Sequence, residues 1–326
     1  MTKLYWQFRT VIVWTLVLGS AAYFAVSKPS FLSAGNIFSI SQSFALIALV
    51  SAALGIVMIA GEFDLSIAGV VPLAALITVK LGNTSPALGI LAALTVAAVI
   101  GAVNAWATAR YDIPSLAVTV GTLVLTTGLG FAVSSGDVVT MTNFDIGLFL
   151  DKEIVPMFSL RGLTTIAILI ALGLLMRFTW LGVSVYATGS DHARASVLGI
   201  SRIKILLVVF VLSGLLVGIA GAFLGLTLAS GTPGANEALL LQAATAAIIG
   251  GVSLSGGRGS VLGVAGGALL LSVLSNGLSL LGATTAVVQL VNGILLLLVV
   301  LVDVPLSRSL NARMERTVRP KAIAEI

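Results

Sequence analysis

The sequence predicts an all-α membrane protein of about ten transmembrane helices, and three observations carry that prediction. Mean hydropathy over the 326 residues is +1.16. Only 9% of the residues are charged, whereas a soluble domain carries roughly 25% to keep its surface hydrated. Apolar runs follow one another almost end to end, interrupted by short polar or Gly- and Pro-bearing joints, and one helical crossing needs about 20 such residues. A single transmembrane domain over 1–326 is the economical reading.

Taken in order, the first span is 10–27, preceded by Lys3 and Arg9. Its basic start and the small residues of SAAYFA also fit a cleaved signal peptide; removing it would carry the basic tail or the new N-terminus across the membrane, so it is read as retained. Spans 37–60 and 65–81 flank a polar break, AGEFDLSIAG. Spans 86–108 and 114–134 precede a polar connection at 136–159, and 161–177 precedes a charged loop at 189–204. Spans 238–252 and 260–282, which follow 205–229, flank a second break, GGVSLSGGRGSVLGVAGG, and 285–303 leads into the basic tail at 304–326.

Ten spans put both termini on one side. The tail carries Arg308, Arg313, Arg316, Arg319 and Lys321, and the excess of Lys and Arg on cytoplasmic loops places that side inside. By parity Arg110, loop 189–204 and Arg258 fall inside, and Lys28, Lys80, Lys152 and Arg161 outside. The 136–159 connection is then external, polar enough to be solvated, and a place for an external partner to dock. The excess of 17 basic over 12 acidic residues reflects this topology, so nucleic acid is not an expected partner.

Several chemistries are excluded. The chain holds no Gly-Lys pair and hence no phosphate-cradling G-x-x-x-x-G-K-[S/T] loop, so it does not hydrolyse ATP itself. With no cysteine, thiolate metal sites and cysteine nucleophiles are ruled out, and with one histidine, His192, a His-centred metal site or triad would need that residue to act alone on a surface loop. No metal site, no catalytic residue and no enzymatic activity are expected on this chain.

The first break is more informative. An ionised carboxylate at the bilayer centre costs about 2.5–3.5 kcal/mol, and a helix N-terminus returns only about 0.3–1 kcal/mol. Glu62 and Asp64 therefore lie at a helix break facing water or protein, with Gly61 ending one helix and Asp64 or Ser66 capping the next. A plain capped turn and the lining of a pathway both account for this pattern. In the second break Ser255 is a pathway candidate, Arg258 is the single charge, and most of the glycines serve close helix packing. Of the polar residues within spans, Asn104, Gln242 and Asn276 are further pathway candidates, and interhelical hydrogen bonding explains each equally well.

Loop 189–204 reads GSDHARASVLGISRIK. Ser190 or Asp191 can cap a short helix through about Leu198, which Gly199 can end at its C′ position. Ala195, Val197 and Leu198 beside Arg194 then form a small mixed docking surface, with Arg202 and Lys204 at the membrane edge. A multi-span chain without a nucleotide loop that displays such a helix inside is suited to borrowing a motor from a partner.

The segments GEFDLSIAG, GSDHARASVLGISRIKILLVVFVLSGLLVGIAGAF and AAIIGGVSLSGGRGSVLGVAGGALLLSVLSNGLSLLG, in this order and spacing, resemble the membrane permeases of bacterial ABC sugar importers of the ribose/xylose/galactose type. The resemblance implies the vitamin B12-type importer fold, pairing with a second copy or a homologue, and location in the bacterial inner membrane. It also implies coupling to a cytoplasmic ABC ATPase that supplies the ATP and Mg sites, with no cofactor on this chain, and receipt of a monosaccharide from a periplasmic sugar-binding protein. The family's Gly-x-x-x-Ala-x-x-x-Gly-Ile coupling pattern falls on Gly189, Ala193 or Ala195, Gly199 and Ile200, which with Asp191, Arg194 and Leu198 are the expected ATPase-coupling residues. The usual GGIDLS stands here as GEFDLS, with Glu62 in place of a glycine and Phe63 of an isoleucine. Permeases for nucleosides, branched-chain amino acids or a furanose signal are alternatives within this class. Outside it stand a carrier driven by an ion gradient, with Glu62 and Asp64 as its ionisable groups, and a membrane scaffold.

Overall fold

A computed structural model describes residues 2–301, with side chains from residue 9 onward. The tail at 304–326 and the side chain of Lys3 lie outside the described residues. Each expected span coincides with an apolar helix: α1 (Thr2–Ser27), α2 (Ala34–Ile59), α3 (Ile67–Gly82), α4 (Pro86–Tyr111), α5 (Ser115–Ser134), then, after a short α6 (Asp145–Asp151), α7 (Leu160–Phe178). Beyond α8 (Trp180–Ser190) and α9 (His192–Val197) follow α10 (Arg202–Leu228), α11 (Glu237–Ile249), α12 (Val261–Leu280) and α13 (Thr285–Leu301). Among the described residues seven helices are long and apolar enough to cross a membrane, namely α1, α2, α4, α5, α7, α10 and α12. The other three apolar helices, α3, α11 and α13, are shorter; α3 has 16 residues and α11 only 13, so each begins or ends within the thickness of the bundle.

The core forms around α2. Its turns from Ala48 to Ile59 bury every side chain, and α10, α11, α12 and α7 pack around it. Such a helix is apolar on all sides because no side faces water. Close approach depends on small residues, as expected where apolar burial alone gives no drive between helices. A Cβ on Gly214 of α10 would lie 2.9 Å from the Ala97 carbonyl carbon of α4, and one on Gly101 of α4 would lie 2.9 Å from that of Phe210. Helices α1, α4 and α5 sit at the periphery, where apolar side chains such as Leu18, Leu91 and Val124 are exposed as lipid-facing residues are.

One end of the bundle is formed by 27–36, 82–86, 134–160 and 228–231. There the 136–159 connection is largely exposed, as its polarity predicts, and lies against the bundle through Met141, Gly147 and Ser159. Strand β1 (Val139–Thr140) pairs antiparallel with the later strand β4 (Ser230–Gly231), and β2 (Glu153–Val155) pairs with β3 (Phe158–Ser159). Beneath lies a polar knot. Gln42 donates to Asp151 at 2.9 Å and accepts from Ser159 at 2.7 Å and from Arg161 at 3.2 Å. Arg161 is also paired with Asp151 at 3.1 Å and donates to the Thr227 hydroxyl. Nearby, Asn36 and Asn276 exchange two amide hydrogen bonds of 3.0 and 2.9 Å, so Asn276 pins α12 to the start of α2.

Candidate functional site

At the opposite end the chain turns at the first break. Gly61 takes the positive φ of +86° that a turn out of α2 requires. The chain then climbs back into the bundle. The Phe63 amide donates to Ser115 at 3.0 Å, and its carbonyl accepts from Thr119 at 3.3 Å. Asp64 accepts from the Ser66 amide at 2.9 Å and its hydroxyl at 2.5 Å; Asn104 donates to the Ser66 hydroxyl at 3.0 Å, and Thr122 donates to Asn104 at 2.6 Å. Asn104 lies seven residues before the end of α4 and Thr122 seven past the start of α5, so this chain of bonds sits roughly 10 Å inside the helix ends. Asp64 is 4% and Asn104 0% exposed. The break is thus a re-entrant segment whose polar groups are satisfied by protein, which is the condition for irregular backbone at membrane depth. Ser66 occupies the N-cap position of α3 without a side-chain cap bond; Asp64 instead holds the Ser66 amide.

A second segment enters from the other end. Residues 230–236 run beside α3: a Cβ on Gly231 would lie 2.8 Å from Leu76 Cα, and the Asn236 amide donates to the Ala68 carbonyl at 2.7 Å. Helix α11 therefore begins inside the bundle, beside the start of α3, with Asn236 capping the Leu239 amide at 3.1 Å. The two short helices meet where their lead-in segments meet.

The two breaks and the 189–204 segment converge in one backbone junction. Gly189, in the last turn of α8, has no room for a side chain: a Cβ there would overlap the Ile59 carbonyl oxygen and fall 2.7 Å from the Gly257 nitrogen and 2.9 Å from the Ala60 carbonyl carbon. One on Gly256 would lie 2.6 Å from both the Gly189 oxygen and Gly61 Cα. The Gly257 amide donates to the Ile59 carbonyl at 2.8 Å, and Tyr186 of α8 donates to the Gly259 carbonyl at 2.9 Å. Gly61, Gly189, Gly256 and Gly257, far apart in sequence, form a single contact.

From this junction α9 projects. The Asp191 carboxylate caps it, accepting from the Ala193 and Arg194 amides at 3.0 Å each, and the Arg194 amide bond leads in holding its pKa below the ordinary value. Gly199, with φ of +80°, ends it: the Gly199 amide donates to Ser196 and the Ile200 amide to Ala195, at 2.9 and 3.1 Å, the paired bonds of a Schellman C-cap. Contrary to the expected mixed surface, Ala195 points inward at 3% exposure, while Val197 and Leu198 stand out at 86% and 77%. Ala193, four residues after Gly189, is exposed, so of the two alanines considered for the pattern the packed one is Ala195, four residues before Gly199. Arg194 is exposed and pairs with Asp191 at 2.9 Å. Beyond the helix, Ile200 packs against the core. Arg202, the first residue of α10, pairs with Glu62 at 2.9 Å and with Asp112, in the α4–α5 turn, at 2.5 Å. Glu62 is thus drawn into the junction end by a cation that sequence separation hides.

The remaining candidates lie apart. Ser255 is exposed and bonded to Ser253 at 2.9 Å, Gln242 is half-exposed on α11, and Asn276 belongs to the far end. A groove of about 1440 Å³ lies between α1, α2, α7, α8 and α12. Its walls are chiefly apolar, and it reaches the second break at Gly257–Ser260 but not the Asp64–Asn104 chain.

Residues 36–300 match the family described as branched-chain amino acid transport system / permease component. The chain is 33% identical to the L-arabinose ABC transporter permease of Azospirillum brasilense, over 86% of this chain and 84% of that one. It is 30% identical to the fructose import permease of Rhizobium meliloti, over 81% and 76%, and 28% identical to the ribose import permease of Escherichia coli, over 93% and 95%. No solved structure matches it.

Proposed function

We propose, on the premise that this chain belongs to the family of membrane permease components of branched-chain amino acid transport systems, that it is the transmembrane subunit of an ATP-driven importer of a neutral monosaccharide. The relatives that cover most of its length are permeases for arabinose, fructose and ribose, and these with xylose form the panel against which its cargo is to be sought. It works in the bacterial inner membrane with the junction end and both termini cytoplasmic, beside a second copy or a homologous permease. ATP and Mg reside on a partner ATPase, sugar arrives from a periplasmic binding protein, and this chain carries no cofactor.

The observation that carries the reading is the junction. Helix α9 is attached on one side through Gly189, which touches both helix breaks, and on the other through Arg202, which is paired with Glu62 of the first break. A push on its exposed Val197 and Leu198 reaches the start of α3 through segment 60–66 and the start of α12 through the 250–260 loop. Packed interfaces shift as units rather than deform smoothly, so closure of a partner ATPase on α9 tilts these short helices and opens the bundle alternately to its two ends. A carrier driven by an ion gradient gains no support from Glu62, which is ion-paired, or Asp64, which is enclosed and hydrogen-bonded.

The test is purification of the tagged chain from its native membranes in mild detergent, alongside a form carrying Arg194→Glu and Gly199→Pro. An ATPase that accompanies the unaltered chain and is lost from the altered, still folded one supports the reading. Absence of any ATPase under conditions that preserve known importer complexes overturns it.

A further inference from the structure

The groove between α1, α2, α7, α8 and α12 differs at its two ends. Apolar side chains such as Val11, Phe44, Ile170, Leu174, Leu262 and Leu269 line it. Val11, Ile170, Leu174 and Leu262 are exposed, so the groove opens on the face that meets lipid. Along α7 the lining runs from Ile166 to Phe178, a rise of roughly 18 Å. One leaflet is half of a hydrocarbon layer of about 30 Å, so the groove is long enough for acyl chains.

Its polar lining gathers at the junction end, where Thr10, Arg177, Arg258 and Ser260 are found. Arg177 is exposed, with its guanidinium 5.3 Å from the centre of the Phe178 ring. Phe178 and Trp180 are exposed beside it, as aromatic residues are at the level of lipid headgroups. A Cβ on Gly173, one turn before Arg177, would lie 3.9 Å from that of Val261, three residues past Arg258. The two arginines therefore stand at the same end, on opposite walls. Between α1 and α12 the Thr10 and Ser260 hydroxyls are 3.5 Å apart. Helix α12 starts here, and its first turn adds partial positive charge. No aspartate or glutamate lines the groove. At the far end the Ser41 hydroxyl is engaged by the Phe38 carbonyl at 2.8 Å.

We infer that this groove seats an anionic phospholipid, its acyl chains along the apolar walls and its phosphate between Arg177 and Arg258. Basic pockets between transmembrane helices hold acidic headgroups, and the guanidinium fork matches phosphate oxygens. Charge argues against the other occupants. A second copy related by a two-fold axis would bring the same patch against itself, setting these arginines against their own counterparts. The tail carries Arg308, Arg313 and Arg316, of the same sign as the groove mouth. A lipid so placed rests on Gly259, which Tyr186 of α8 holds, and so braces α8 against the second break. Neither cargo nor ATPase enters the argument, so it stands or falls apart from the importer reading.

The test titrates the purified chain in detergent with dioleoylphosphatidylglycerol or dioleoylphosphatidylcholine, which share acyl chains and differ in net charge. Native mass spectrometry counts bound lipids and chains per particle. The unaltered chain is expected to retain the anionic lipid several-fold better, and to gain more thermal midpoint from it. Arg177→Gln with Arg258→Gln brings the two lipids to parity, whereas Arg110→Gln with Lys204→Gln, exposed basic residues at the same end, keeps the preference. Ala265→Trp, which fills the groove without changing charge, displaces the lipid. Equal retention of both lipids by the unaltered chain overturns the proposal, as does a loss of preference in the 110/204 form as large as in the 177/258 form. An unchanged lipid count in Ala265→Trp also overturns it, and if that form turns paired chains into single ones, the groove belongs to a second copy instead.

Discussion

Replacing Gly189 by alanine adds one carbon at the point where three segments touch. That carbon would overlap the Ile59 carbonyl oxygen and lie 2.7 and 2.9 Å from the Gly257 nitrogen and Ala60 carbonyl carbon, against ordinary contacts of 3.4–4 Å. All three neighbours are backbone, so none can swing aside, and the junction must open by about the difference, roughly 1 Å. Overpacking of a close-packed site costs about 1–3 kcal/mol, and parting Gly257 from Ile59 loses a hydrogen bond worth about 1 kcal/mol. The sum, about 2–4 kcal/mol, falls on the contact between α9 and the breaks. The expected outcome is a lower thermal midpoint in detergent and fewer sugars moved per ATP hydrolysed by the assembled importer, with α9 itself still capped. Gly128→Ala on α5, where a Cβ meets nothing within 4 Å, is the control and leaves both quantities unchanged. Wild-type midpoint and coupling in Gly189→Ala would refute the reasoning.

Three further outcomes follow from the same geometry. Arg202→Glu removes two ion pairs and sets like charges against Glu62 and Asp112; transport per ATP falls, and the double exchange with Glu62→Arg restores part of it, whereas no recovery would mean the pair acts only through packing. Asn104→Ala removes the bond to the Ser66 hydroxyl and the one from Thr122, while Ser66 keeps Asp64 and Thr122 keeps the Val118 carbonyl; the loss is about 0.5–1.5 kcal/mol per bond, read as a drop in midpoint that Asn104→Leu does not repair. Asp191, whose folded pKa lies below its ordinary value of 3.8, contributes to α9 at any pH above that ordinary value. The contribution is lost as pH falls through the depressed folded value. Protection of the Ala193 and Arg194 amides, taken relative to their intrinsic exchange rates, accordingly falls on acidification, and Asp191→Asn abolishes that pH dependence.

The spans were legible in the sequence because apolar length is the dominant constraint on a chain in lipid, and the caps of α9 because Asp191 and Gly199 satisfy local backbone groups within a few residues of themselves. Depth was not legible. The windows over α3 and α11 are as apolar as their neighbours, and only the hydrogen bonds from Asn104 to Ser66 and from Asn236 to Ala68 reveal that both helices start inside the bundle. The glycine junction joins positions 61, 189 and 256–257 by backbone contact, which leaves no charge or periodicity to read. Glu62 and Arg202 lie 140 residues apart, and the knot around Arg161 joins Gln42, Asp151 and Thr227 across similar separations. Of the polar candidates Asn104 meets Ser66 beside Asp64, whereas Asn276, Ser255 and Gln242 lie in three separate places.

The central claim is that α9 and the second break move as one body when nucleotide acts. In the cysteine-free chain, spin labels at Val197→Cys and Leu254→Cys report across the junction, and labels at Val197→Cys and Val138→Cys report from end to end. With the accompanying ATPase bound, addition of ATP is predicted to leave the first distance unchanged while the second shifts. A change confined to the first distance would contradict the account, because α9 would then move without carrying the break with it.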